Sequence, residues 1–267
     1  MAILPDANSG MGIARILLLR QIRNPGHGLS RVETDMKRRG ENSQGVPGLL
    51  LVMNDVPADL EDDYNRWYHE EHLAERLALP GFVSARRYRA VDSQPAYMVV
   101  YKCSSINALT SPAYRQVLDN PTALTRKLLP KLQNVTRAAC RETWSSGNAI
   151  GGNAIIVQCS AKEGREDEAR AFIKDIFATR LKRSGRMVSM SLWESDAKAT
   201  AESNSDMARR ASPDHYADWV LLIESYDLAC IALALHSEVL ACDSERDGLL
   251  IGSLTRYELM CVYSNAV

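Results

Sequence analysis

Long apolar runs are missing from this chain. No stretch approaches the ~20 apolar residues that cross a bilayer, and the piece Ile16–Leu19, between Arg15 and Arg20, is too short for the core of a secretory signal. Net charge is nearly absent too. Lys and Arg number 32 against 33 Asp and Glu, so nothing draws the chain to nucleic acid or to an anionic membrane. The six cysteines form no CxxC and no compact Cys/His pairing, and most lie in strand-like segments where a free thiol packs as a small hydrophobe. With no export signal, reduced thiols and a cytoplasmic location are expected. HExxH, P-loop, GxGxxG and GxSxG are all lacking, which removes the motif-based cases for zinc hydrolysis, phosphate cradles and a serine elbow.

What is present is ample material for a core. Hydrophobic residues make up 46% of 267 positions and charged residues 24%, enough for one large domain or two small ones. Residues 1–46 differ from the rest, mixing Pro, Gly and scattered basic residues such as Lys37-Arg38-Arg39, and read as a poorly ordered extension. An Arg-rich targeting peptide is the other reading, weakened by Asp6, Glu33 and Asp35.

From residue 48 a regular order sets in. Strand 48–56, helix 58–79, strands 82–91 and 96–104, a Pro-broken helical stretch 107–134 and strand 136–145 give β-α-β-β-α-β, the ferredoxin-like pattern. After the Gly-rich hinge 147–152 the order returns: strand 153–161, helix 163–183, strands 187–194 and 219–226, helix 228–240 and strand 253–264. A polar insert, 195–216, reads as an exposed loop with some helix. Letters recur with the order. Thr136-Arg137 and Trp144-Ser145 return as Thr255-Arg256 and Tyr263-Ser264, and Arg76-Leu77…Gly81 as Arg180-Leu181…Gly185. The expectation is an α+β chain with two ferredoxin-like βαββαβ repeats, 47–147 and 153–267. Their antiparallel sheets would pair bare face to bare face as a pseudo-dimeric α+β barrel, with the pocket between the sheets.

One stretch carries chemistry. Tyr64, Tyr68 and His72 fall at i, i+4 and i+8 along a helix that Pro80-Gly81 ends before a strand begins at Phe82. The run Trp67-Tyr68…Glu70-Glu71-His72-Leu73…Glu75-Arg76-Leu77…Leu79-Pro80-Gly81-Phe82…Ala85-Arg86-Arg87-Tyr88, inside β-α-β-β-α-β, resembles the dimeric α+β barrel superfamily and, within it, the EthD-like proteins. The resemblance covers residues 48–146 well, and the second half only in element order. It implies a small-molecule protein, since relatives include cofactor-free oxygenases, cyclases, dehydratases, lactone isomerases, haem-handling proteins and proteins without known activity.

His72 is the main candidate for moving a proton; a surface histidine beside Glu71 and Glu75 is the alternative. Tyr68 could donate to an oxyanion or simply be a core aromatic. Tyr64 shares their side, and Trp67, about 100° around from Tyr68, suits packing on the sheet. Alternation puts Val83 and Ala85 on the helix-covered face and sends Ser84, Arg86 and Tyr88 into the barrel, where Arg86 could hold a carboxylate or enolate. Asn54 lies at the end of the first strand near the same corner, or is a plain strand-end turn. His69 reads as solvated, and His69/His72 with the nearby glutamates as a charged face rather than a metal site. A shift of 104 residues aligns Tyr64, Tyr68 and His72 with Glu168, Phe172 and Ile176, so one site per chain is expected. The resulting expectation is a cofactor-independent lyase, isomerase or cyclase on a hydrophobic aromatic or polyketide-like molecule. A non-catalytic binder is the alternative, and a haem protein using His215 or His236 a third. No cofactor, nucleic acid or membrane is expected, and a homodimer only on base rates.

Overall fold

The computed structural model describes residues 45–202, 210, 215–239 and 244–265. The expected extension 1–46 therefore lies outside the described residues, apart from its last two. Eight antiparallel strands close a barrel in the order β1-β3-β2-β8-β5-β7-β6-β4: β1 Gly48–Asp55, β2 Phe82–Ala90, β3 Tyr97–Cys103, β4 Gln133–Ser146, β5 Asn153–Ala161, β6 Met187–Ser195, β7 Trp219–Ser225 and β8 Leu249–Ser264.

Two long strands make the closure. β4 pairs β1 through residues 133–141 and then β6 through 140–146. β8 pairs β5 through 249–258 and then β2 through 257–264. Each strand thus begins beside one set of neighbours and ends beside another, which leaves no open sheet edge.

The helix after β1 starts behind Pro57 and carries Asp59, Glu61, Asp62 and Asp63 in its first turns, where acidic groups suit the positive end of the dipole. It continues as one rod from α1 (Glu61–Trp67) through a π-helical turn (Tyr68–His72) into α2 (Leu73–Leu77). Gly81 reverses the chain at φ 88°, where a Cβ would sit 2.8 Å from that of Ala108, so only glycine fits this corner. The Pro-broken stretch forms short pieces over the same helix: Ile106–Thr110, α3 (Pro112–Asp119) capped by Ser111, and α4 (Ala123–Leu128) capped by Thr122. In the second half, α5 (Glu166–Ala171), a π-helical turn (Phe172–Phe177) and α6 (Ala178–Arg183) follow β5, and α8 (Leu228–Val239) follows β7. No helix among the described residues is long and apolar enough to cross a membrane.

Part of the expected exposed insert is folded against the sheet. Helix α7 (Ala197–Glu202) is capped by Asp196 and buries Ala199 and Thr200, and the Thr200 hydroxyl accepts from Ala139 N at 3.0 Å. Its small residues let the helix approach β4 closely.

The apolar residues of β1 alternate between two cores. Leu49, Leu51 and Met53 face the barrel interior; Leu50 packs under the α1–α2 rod. The interior is filled by Tyr88, Met98, Trp193 and Tyr257 with Val100, Ile156, Val220 and Leu222. The pocket expected between the sheets is thus replaced by packed side chains, because large residues from all around the barrel meet at its axis.

Candidate active site between the first helix and the sheet

The expected site residues divide between the two faces of the sheet. Tyr64, Trp67, Tyr68 and His72 are buried beneath the rod, against the outer face of β1 and β3, and Asn54 joins them by accepting from the Tyr64 hydroxyl at 3.0 Å. Arg86 and Tyr88 point the other way, into the barrel, as alternation required. There they meet Glu224 of β7, whose Oε1 accepts from Arg86 at 2.8 Å and from Tyr88 at 3.3 Å while Oε2 accepts from Ser189 at 2.8 Å. A full strand thickness separates this ion pair from His72, so Arg86 and Tyr88 do not share a site with it.

The π turn decides how the aromatics meet. At α-helical pitch, residues five apart point about 140° away from each other; one wider turn brings them into line. Trp67 therefore stacks on His72 with ring centroids 4.2 Å apart, while Tyr68 meets His72 edge-on at 5.2 Å and Tyr64 meets Tyr68 at 5.0 Å. The Trp67 indole donates to Thr125 Oγ1 at 3.0 Å, and Glu71 bonds the Thr122 hydroxyl, fastening α4 over the rod.

Beneath the rod lies a cavity of about 30 Å³. Trp67, Tyr68, His72 and Arg76 line it from the rod, Leu50, Val52, Tyr101 and Arg137 from the strands, and Tyr114, Leu129, Leu132 and Arg210 from the layer above. Three guanidinium groups and no carboxylate stand among these lining residues. Buried polar atoms in the lining that have no hydrogen-bond partner include His72 Nδ1 and the Tyr101 hydroxyl. His72 is 8% exposed, and its nearest carboxylate oxygen, on Glu75, is 3.9 Å away and bonded instead to Arg76 at 2.9 Å. That distance is too long for a hydrogen bond. Burial, then the charges of Arg76 and Arg87, hold the imidazole well below its usual pKa, so it is neutral. Burial and the neighbouring Tyr68 push the Tyr101 phenol well above the ordinary value, which keeps it a hydrogen-bond donor. Tyr68 is also raised by burial, against the opposing pull of Arg87.

Arg87 was not among the expected residues, and it organises this region. It is 0% exposed, and no carboxylate of the described residues forms an ion pair with it. Its charge sits over Tyr68 at 4.5 Å, Tyr97 at 5.0 Å and Tyr64 at 5.1 Å. Its Nη2 donates to Asn65 Oδ1 at 2.6 Å and Nη1 to His69 Nε2 at 3.0 Å. Because a guanidinium only donates, His69 must carry its proton on Nδ1, where it meets the Tyr263 hydroxyl at 3.0 Å. His69, expected in solvent, is therefore half-buried between Arg87 and β8. Burial and Arg87 lower its pKa. Alternation from Ala85 would have placed Arg87 on the helix-covered face; a charge is simply an unusual occupant there.

His215 and His236 are exposed and neither lines the cavity. Among the described residues no cluster of three His, Cys, Asp or Glu side chains could hold a metal ion.

Comparison with solved structures places this architecture. An anthrone oxidase-like protein superposes with a TM-score of 0.60 at 10% identity, over 84% of this chain and 95% of the other. The chain has the fold of the α+β barrel proteins. A variant chlorite dismutase from Candidatus Nitrospira defluvii matches at TM-score 0.52 and 13% identity, over 82% of this chain and 93% of that one. A monooxygenase-like protein from Lactobacillus acidophilus NCFM matches at 0.50 and 8%, over 83% and 97%. Neither a family model nor a curated protein sequence matches the chain. At these identities the likeness establishes the fold alone.

Proposed function

We propose that this protein is a cofactor-independent lyase or isomerase of EthD-like character. Its substrate is a small oxygenated molecule, and His72 Nδ1 takes and returns the proton. The observation that carries the reading is the orphaned His72 Nδ1, on a neutral ring beside a cavity whose described lining includes three arginines and no carboxylate. A neutral imidazole can accept a proton from carbon beside a carbonyl, and the guanidinium groups and Tyr101 can stabilise the oxyanion that forms. The cavity has room for about one or two waters. The hydrophobic body of an aromatic or polyketide-like substrate therefore needs side chains of the lining to move aside.

The reading includes a tandem duplication, with 47–147 as the site-bearing repeat and 153–267 as its packing partner. The half-sheets support it, since β4-β1-β3-β2 and β8-β5-β7-β6 have the same order. So do the two π turns, which begin 104 residues apart at Tyr68 and Phe172. At the corresponding positions the second turn carries Phe172, buried, and Ile176, which is exposed where His72 is buried, and this supports one site per chain.

The test is exchange of acidic C–H protons in D₂O, followed by NMR over a panel of β-keto acids, lactones and phenolic ketones. Wild type should catalyse exchange on at least one class, His72→Gln should lose it, and the double variant Arg86→Met with Glu224→Leu should keep it. Exchange that survives in His72→Gln refutes the assignment of the base. Binding without exchange across the panel leaves the non-catalytic ligand-binding reading in its place.

A further inference from the structure

We propose that the cavity under the rod is a receptor for a small organic oxyanion, a carboxylate or enolate, and that the anion binds together with a proton captured on His72 Nδ1. The inference rests on the same site as the proposed proton transfer and names the class of group that occupies it.

The charges facing His72 come from every element packed against it. Its own rod supplies Tyr68, Glu75 and Arg76; β3 supplies Tyr101, β2 Arg87 and β4 Arg137. The layer above adds Tyr114 and Arg210. Glu75 is the carboxylate in this set among the described residues, and its Oε2 bonds Arg76. Arg87 has no carboxylate partner among the described residues, and its charge is spread over three phenol faces and two neutral acceptors. Arg87 therefore places a buried positive charge near His72 that no described carboxylate pairs with, inside an apolar shell where fields are weakly screened.

Two unmet hydrogen-bonding atoms complete the case. The Tyr101 hydroxyl is a donor with no acceptor, in a residue only 1% exposed. His72 Nδ1 has no partner either. Buried polar groups of this kind are costly and rare in native proteins unless something else meets them. A carboxylate meets both. One oxygen accepts from Tyr101, and the other accepts from Nδ1–H once the imidazole has gained a proton. Arg76 and Arg87 oppose that proton; an anion between them and the imidazole reverses the balance. Binding and protonation then reinforce one another through linkage.

The measurement is calorimetric titration of the full protein with sodium acetate at pH 7, in two buffers of different protonation enthalpy that contain neither carboxylate nor phosphate. Acetamide serves as the uncharged control. Acetate should bind saturably with net proton uptake, and acetamide should bind at least tenfold more weakly. His72→Gln should abolish the uptake. Tyr101→Phe should weaken acetate about tenfold, the loss of one hydrogen bond to a charged acceptor, and retain the uptake; it also serves if His72→Gln does not fold. Equal affinity for acetamide, or no acetate binding, overturns the anion class. Acetate binding without proton uptake, or uptake that persists in His72→Gln, overturns the coupling. None of these readouts requires turnover. A protein that binds acetate with a proton but catalyses no exchange keeps this inference and loses the enzymatic one.

Discussion

Trp67 and His72, five residues apart on one helix, stack with ring centroids 4.2 Å apart and planes tilted by 36°. The π turn Tyr68–His72 makes this contact, and the contact aims the imidazole at the cavity. Replacing Trp67 by Leu removes the stacking face and the bond to Thr125. Expected are a stability loss of about 3 kcal/mol in urea denaturation and a His72 imidazole whose NMR titration moves back toward its ordinary range as water reaches it.

Acid should destabilise the fold through His72. Its pKa is depressed in the folded state, so above the ordinary value of about 6.5 the ring is neutral in both states and contributes nothing to the pH dependence. As pH falls below that value the unfolded chain takes the proton first, and stability drops until the folded pKa is also passed. Stability curves between pH 7 and 4.5 should therefore be flatter for His72→Gln than for wild type. Parallel curves would contradict the buried neutral imidazole.

Arg87→Met should remove the charge from the faces of three tyrosine rings and strand the acceptors Asn65 Oδ1 and His69 Nε2. The expected cost is about 2–4 kcal/mol, combining lost cation–π contacts with unmet buried acceptors. The titration of His72 should rise, because one of the charges that depress it is gone. Arg87→Lys cannot reach both acceptors with one ammonium and should recover only part of the loss.

Tyr101→Phe should leave the unliganded protein as stable as wild type or more so, by about 1–2 kcal/mol, since it deletes a buried hydroxyl that has no partner. A ligand-independent stability gain with weaker ligand binding marks a group kept for function rather than for folding.

Glu224 should behave as a clasp of the barrel and not as part of the site. Glu224→Ala leaves Arg86 buried and unpaired and should cost about 3–5 kcal/mol, whereas the pair Arg86→Met with Glu224→Leu should cost much less. Anion binding at the His72 cavity should be unchanged in the double variant.

The sequence by itself determined the strands and most of the helix limits. Continuous apolar runs such as Leu49–Met53 and the alternation in Phe82–Ala90 can be satisfied only by buried strands, and Pro112, Pro121 and Pro130 interrupt a helix wherever they stand. It also determined which way Arg86, Tyr88 and Ala85 point, because a strand turns successive side chains to opposite faces. Tertiary structure decided the rest. Whether the space between the sheets would be a pocket depended on Trp193, Tyr257 and Met98 arriving from distant strands at one axis, and they fill it. Whether Trp67 would touch His72 depended on a single π turn, which the 3.6-residue period does not foresee. Arg87 could be placed on the helix-covered face by counting, but its role required knowing that Tyr64, Tyr68 and Tyr97 would surround it. Local periodicity fixes the direction of a side chain; the meeting of directions from far-apart segments fixes a site, and only the closed fold contains it.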